Sequence, residues 1–195
     1  LKKFEWDDQK FYDNIQNNME QYDKTFQEAG KYAKNIFDTV KKLGIQENTI
    51  IVFFTDHGTG VGERFGERNY GSFTYEETIR TFYHFIGYGI KKKNISESLK
   101  STIDVFPTIL DLCNIRITSQ VPGESFSSFL KGDEKVLKDR EFTFSETGAL
   151  HGPYPSPEHS NVFCIKSPYY KLIYQKDPKK WELYDLLKDP KELEN

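Results

Sequence analysis

The chain of 195 residues contains no apolar run approaching the roughly eighteen residues a bilayer-spanning helix needs, so no membrane span is expected in it. It also lacks any long block of one charge. The 27 Lys and Arg nearly balance the 30 Asp and Glu, and a net charge of −3 gives no reason to expect a nucleic-acid surface. Cysteine is scarce: Cys113 and Cys164 are far apart, and they read as small buried hydrophobes rather than a disulfide. No internal repeat is visible, no targeting segment precedes the first helix, and the first residue is Leu1, so a fragment of a longer protein is expected. The triplet Asn94-Ile95-Ser96 is a glycosylation sequon, but without a secretory context it leaves the compartment open. What is present is enough for a core. Apolar residues make up 36% and aromatics 15%, outside the disordered range.

The stretch Asn48-Thr49-Ile50-Ile51-Val52-Phe53-Phe54-Thr55-Asp56-His57-Gly58 carries the chemistry. Ile50 to Phe54 is continuous, β-branched and aromatic, which predicts a strand buried on both faces in the middle of a parallel sheet. Ligands of open α/β sheets bind beyond the carboxyl ends of strands. There Asp56 offers a carboxylate oxygen and His57 an imidazole nitrogen, a pair of donors that suits a divalent cation. The alternative is a loop Asp capping the next turn beside a solvated His. Gly58, Gly60 and Gly62 favour the site, because they allow backbone to approach a ligand and tolerate positive φ. Two donors do not fill a coordination shell, so further ligands are needed from elsewhere.

Before that strand, Phe11, Ile15, Met19, Tyr22, Phe26, Ala29, Ala33, Ile36, Val40 and Leu43 recur at helical spacing, and Gly44 is placed to end the helix. Gly30 permits a kink or close packing. Helix, turn and buried strand read as half of a βαβ unit. After it come a polar loop from Thr59 to Thr74, then Tyr75-Glu76-Glu77-Thr78-Ile79-Arg80, then a second strand from Phe82 to Ile86 in which His84 reads as structural. Asp104 is expected to cap a helix with Pro107 in its first turn, and Ser125 to Leu130 is a short amphipathic piece. Gly132-Asp133-Glu134-Lys135 marks an expected boundary between an α/β part, residues 1–135, and a small antiparallel sheet, residues 136–195. Strands of that sheet are expected at Glu141–Glu146, Val162–Ile165, Lys171–Tyr174 and Trp181–Tyr184, interrupted by a proline-rich loop carrying His151 and His159.

In this order the motifs resemble the C-terminal half of a sulfatase of the alkaline phosphatase superfamily. Asn48 to Gly58 is similar to the family's "NTIVVFTSDHG", Tyr75 to Arg80 to "YEEAxR", Asp104 to Leu112 to "DLFPTLLDL", and Glu182 to Glu192 to "ELYDLxxDPxE". The resemblance implies an α/β fold: a mixed, mainly parallel sheet flanked by helices, followed by a small antiparallel sheet with the start of a terminal helix. It further implies that Asp56 and His57 are metal ligands, with Ca2+ the family's usual ion and Mn2+ or Zn2+ the alternatives. Two more aspartate ligands and a formylglycine nucleophile, made from Cys or Ser in a C/S-x-P-x-R motif, belong to the family's N-terminal half, the expected partner of this chain. Sulfatases commonly place a sulfate-contacting Lys shortly before the "YEE" aromatic; Gly71 occupies that position, so Arg64 or Arg68 is expected to supply the charge. The substrate expected is a sulfate or phosphate ester. A phosphate-ester hydrolase or phospho-group transferase with a Thr or Ser nucleophile is the first rival, and a non-catalytic binding domain on the same fold the second. One metal is expected, with His151 and His159 uninvolved, whereas two-metal phosphodiesterases of the superfamily use a downstream His.

Overall fold

The computed structural model describes residues 8–64, 73–91, 99–133, 140–148 and 159–195. A short helix α1 (Asp8–Asp13) leads into the long helix α2 (Ile15–Lys42). α2 packs toward β1 through Phe37, next to the Ile36 expected in its stripe, at 5.7 Å from Phe53, and through Phe26 at 5.9 Å from Phe82 between ring centroids. No α2 side chain is fully buried, and Met19, Tyr22, Phe26 and Ile36 stay largely exposed. A Cβ at Gly30 would meet nothing within 4 Å, so the close packing that glycine permits is not used among the described residues. The helix ends as expected at Gly44, φ +68°, with the Gly44 N–H donating to Lys41 O and the Ile45 N–H to Val40 O, the paired bonds of a Schellman motif.

Strand β1 (Ile50–Phe54) pairs with β2 (Tyr83–Gly87) in a two-stranded antiparallel sheet, Phe54 opposite Tyr83 and Ile50 opposite Gly87. The mainly parallel sheet expected from the sequence is therefore not what the described strands form. The chain leaves β1, passes through α3 (Glu76–Ile79), and re-enters the sheet at the end it left, which dictates antiparallel pairing. β1 is covered from two sides, with Ile50 and Val52 against the Phe85 cluster and Phe53 against α2, but none of its side chains is fully buried and Phe54 is exposed.

Phe85, Val105, Leu112 and Phe126 make the first core cluster, fed by α4 (Val105–Leu112) and α5 (Ser127–Leu130). Asp104 is not the side-chain cap of α4. The cap lies earlier, at Ser101, in a capping box that closes a 3-10 turn over Thr102–Asp104, and Pro107 does sit in the first turn of α4. The buried Asp104 carboxylate accepts the Ser101 N–H at 2.9 Å and the Glu124 N–H at 2.8 Å, and pairs with Arg140.

The second cluster belongs to a four-stranded antiparallel sheet of β3 (Thr143–Thr147), β4 (Val162–Lys166), β5 (Tyr170–Gln175) and β6 (Lys180–Asp185), paired in chain order. Alternation puts Val162, Cys164, Ile173 and Tyr184 on its inner face. Burial pushes the Cys164 thiol up to about 11, in keeping with a packing role. Phe73, Tyr75 and Ile79, from well before residue 135, pack into this cluster, so the segment around α3 belongs structurally to both parts. Residues 186–195 run as turns and not as the start of a helix, with Glu192 at φ +56°.

Candidate metal and ester site

Asp56 and His57 stand just past the end of β1, where the strand fixes their emergence. The Asp56 side chain is 86% exposed and that of His57 42%. Asp56 Oδ1 accepts the His57 backbone N–H at 2.9 Å. His57 Nδ1 lies 2.6 Å from Gly58 O, and since a carbonyl oxygen only accepts, Nδ1 carries the proton and Nε2 presents its lone pair. That lone pair lies 3.8 Å from Asp56 Oδ2, a separation two donors adopt around one cation held about 2.0 to 2.5 Å from each. Backbone fixation of the non-ligating nitrogen is also how metal-binding imidazoles are commonly oriented. The donor pair thus fits a divalent metal, as two ligands of a larger set. Among the described residues no third His, Cys, Asp or Glu joins them.

Gly58 is glycine for a reason of space. A Cβ there would lie 2.2 Å from Glu77 O, and the Gly58 N–H donates to Thr78 O at 2.6 Å, so the turn is stapled directly to α3. Gly62, at φ +119°, supplies the left-handed backbone, and the loop around it is held to α2 by Asn18 Nδ2 donating to Val61 O at 2.9 Å. Asp56 and His57 open onto a cleft of about 1420 Å³ between the first part of the chain and the antiparallel sheet, whose walls include Arg80, His84, Phe144 and Lys166.

The expected charge donors fall differently. Arg64 does not reach the cleft. Its Nε donates to Glu77 Oε1 at 2.6 Å, one Nη to Glu192 O at 2.7 Å and the other to Lys191 O, and the guanidinium lies 3.9 Å over the Tyr75 ring. Although burial alone would lower its pKa, the Glu77 carboxylate outweighs that and raises it. Arg68 and His151 lie outside the described residues; His159 is exposed, and so is His84, expected to be structural.

A buried polar network behind the site gave no local signal in the sequence. Glu76 takes Lys166 Nζ at 2.7 Å and Lys171 Nζ at 3.1 Å, while Lys171 also donates to Glu192 at 2.6 Å with both side chains fully buried. Glu192 Oε2 accepts the Glu76 N–H at 3.0 Å. Burial opposes ionisation of Glu76, but Lys171 and Lys166 overcome it and hold its carboxyl below the usual range; burial wins at Glu192, whose carboxyl is raised. Tyr75 and Tyr184 both donate to Glu182 Oε2 at 2.7 Å, and burial together with that bond raises both phenols. Glu76 and Glu192 are 116 residues apart in the chain, which is why no spacing rule finds them.

A strand-end acid and imidazole thus face a cleft beside a small antiparallel sheet, the place where α/β folds bind ligands. The family follows from comparison. Residues 2–115 match the sulfatase family model and residues 66–195 that of the C-terminal region of N-sulphoglucosamine sulphohydrolase, and the chain belongs to the sulfatase family. It is 31% identical over 185 residues to a Δ4,5-hexuronate-2-O-sulfatase of Bacteroides thetaiotaomicron, covering 91% of this chain and 37% of that protein. It is 30% identical over 168 residues to an N-acetylglucosamine-6-O-sulfatase of the same organism, covering 82% of this chain and 28% of that protein. The chain therefore spans about a third of the length of the curated relatives it matches. Among solved structures, one in complex with its substrate D-glucosamine-2-N,6-O-disulfate superposes with a TM-score of 0.64 at 26% identity, covering 83% of this chain and 32% of that one. A phosphonate monoester hydrolase of Silicibacter pomeroyi shares the fold, with a TM-score of 0.67 at 24% identity over 80% of this chain and 32% of that one.

Proposed function

We propose that the intact protein is a metal-dependent sulfuric-ester hydrolase acting on a sulfated sugar, and that this chain contributes Asp56 and His57 to its metal site. The observation that carries the proposal is the pairing of Asp56 Oδ2 and His57 Nε2 at 3.8 Å, with the other imidazole nitrogen committed to Gly58 O, at the mouth of a cleft. Family membership supports the reaction class, and two relatives at 30% identity or more are named as sulfatases of sugar units. A divalent ion, Ca2+ by family resemblance, would there neutralise ester oxygens as a Lewis acid. The chain's own part is to hold that ion by one carboxylate and one oriented imidazole, and to keep backbone rather than side chain at Gly58. The nucleophile and the remaining ligands are assigned to the rest of the protein. Arg68 remains a proposed contributor of positive charge; Arg64 is not, since its guanidinium is bound elsewhere.

Elemental analysis and aryl sulfate turnover of the intact protein test this. Wild type is expected to hold one metal equivalent and turn over aryl sulfate, and Asp56→Ala to lose both, because a hard cation loses a charged oxygen ligand. An Asp56→Ala protein with unchanged metal content overturns the assignment. Preference for an aryl phosphate or phosphonate over the sulfate would move the reading to the phosphorus-ester branch, which Gly71 in place of the family Lys favours.

A further inference from the structure

We propose that Lys171 and Glu192 are positioning residues for the metal site, holding Asp56 and His57 in place through α3 without touching the metal; the inference rests on the metal-site reading and adds two residues to it. Both side chains are fully buried, which lysine and glutamate seldom are, and Lys171 Nζ lies 2.6 Å from Glu192 Oε1. Each also reaches the first residue of α3. Lys171 Nζ is 3.1 Å from Glu76 Oε1, and Glu192 Oε2 accepts the Glu76 N–H at 3.0 Å. Tyr75, at the N-cap, makes no side-chain cap bond, so the Glu192 carboxylate supplies from far along the chain the acceptor that a local cap would provide. To do so Glu192 takes φ +56°, a left-handed backbone that a non-glycine residue keeps only where its surroundings fix it.

The other end of α3 meets the donor turn. Thr78 O accepts the Gly58 N–H at 2.6 Å, and a Cβ on Gly58 would fall 2.2 Å from Glu77 O. α3 spans only Glu76–Ile79, so it has no interior to absorb a displacement: a shift at Glu76 moves the Glu77 and Thr78 carbonyls, and Gly58 with them. Gly58 O in turn accepts the His57 Nδ1–H at 2.6 Å, so its movement turns the imidazole that presents Nε2. Stability alone does not account for the buried pair. Desolvating two charges costs about what their attraction returns, and an apolar pair of similar volume would stabilise the fold as well or better. What an apolar pair lacks is an acceptor for the Glu76 N–H.

The test is titration of Ca2+, Mn2+ and Zn2+ into the metal-stripped intact protein by calorimetry, with melting temperatures of the metal-free forms, for wild type, the double variant Lys171→Met/Glu192→Leu, and Glu192→Gln. The double variant is expected to melt no lower than wild type yet to bind the preferred ion about 10-fold more weakly, the low end of the loss on removing a partner beyond the ligands. Glu192→Gln keeps an oxygen acceptor without the charge, and is expected to melt lower and retain wild-type metal affinity. Wild-type affinity in the double variant overturns the proposal, and so does a loss in Glu192→Gln that matches the double variant's. A double variant that melts far below wild type and loses metal along with its fold also overturns it, since the pair would then be scaffold. A wild type that binds none of the three ions refutes the metal-site reading itself and the positioning with it, whereas every other outcome leaves that reading standing.

Discussion

Replacing Arg64 with alanine separates two roles for this residue, the charge donor that its sequence context suggests and the clamp that its surroundings show. In the structure its guanidinium donates to Glu77, to the carbonyls of Lys191 and Glu192, and covers the Tyr75 ring, so it clamps the loop after β1 to α3 and to the last residues of the chain. The Arg64 and Glu77 side chains are only 16% and 13% exposed. Removing one member of a buried ion pair costs about 3 to 5 kcal/mol, and the remaining solvent access argues for about 3. At roughly 1.4 kcal/mol per tenfold, that raises the opening constant of the clamped segments about a hundredfold. Hydrogen exchange of the intact protein reads it: the amides of residues 75–80 and 188–192 should exchange about a hundred times faster in Arg64→Ala, and less so in Arg64→Lys, which keeps charge but not the fork. Unchanged exchange with a fall in turnover would refute the clamp and restore the catalytic role.

Two further outcomes follow from the same geometry. Gly58→Ala should lower both melting temperature and metal affinity of the intact protein, because its Cβ would fall 2.2 Å from Glu77 O and push the Asp56–His57 turn off α3; an alanine variant with wild-type metal affinity would show that the turn does not need that contact. Glu76 and Glu182 are held below their ordinary 4.5, Glu182 because bonds from Lys180, Tyr184 and Tyr75 outweigh its burial, so their stabilisation is present above 4.5 and lost as pH falls through the lower folded values. Glu192 has the opposite sign: burial raises it, so its contribution is present below 4.5 and is lost as pH rises through its folded value. Melting temperatures between roughly pH 3 and 7 should therefore fall less steeply on the acid side in Glu182→Gln than in wild type, and an identical acid limb would contradict the shift assigned to Glu182.

The parts of the fold that were legible in the sequence are those set by neighbours in the chain. The Gly44 ending, the apolar run of β1 and the pattern of β3 to β6 all state their element locally, and each strand appears within about two residues of where it was expected, while the long helical stripe is divided at Asn14 between α1 and α2. The place where Asp56 and His57 emerge was legible for the same reason, since a strand end fixes where the next residues go. The direction of pairing was not, because it depends on which end of β1 the chain returns to after α3, and α3 is only Glu76–Ile79. Nor was Arg64. A loop arginine among glycines looks free until its partners are found 13 and 127 or 128 residues away, two of them backbone carbonyls with no side-chain signature.

The same contrast explains why so short a segment as Tyr75 to Arg80 carries a recognisable motif. Each of its residues answers to a different part of the molecule. Tyr75 donates to Glu182 of the antiparallel sheet, Glu76 gathers Lys166 and Lys171, Glu77 holds Arg64, Thr78 offers its carbonyl to Gly58, and Ile79 packs into the sheet's core cluster. Ion pairs buried this deeply add little net stability, but they leave few alternative registers, because a displaced partner strands a charge without solvent. The antiparallel sheet is thereby tied through α3 to the Gly58 backbone, and through it to the donor atoms of Asp56 and His57. A sheet that contributes neither residue thus helps fix the position of both.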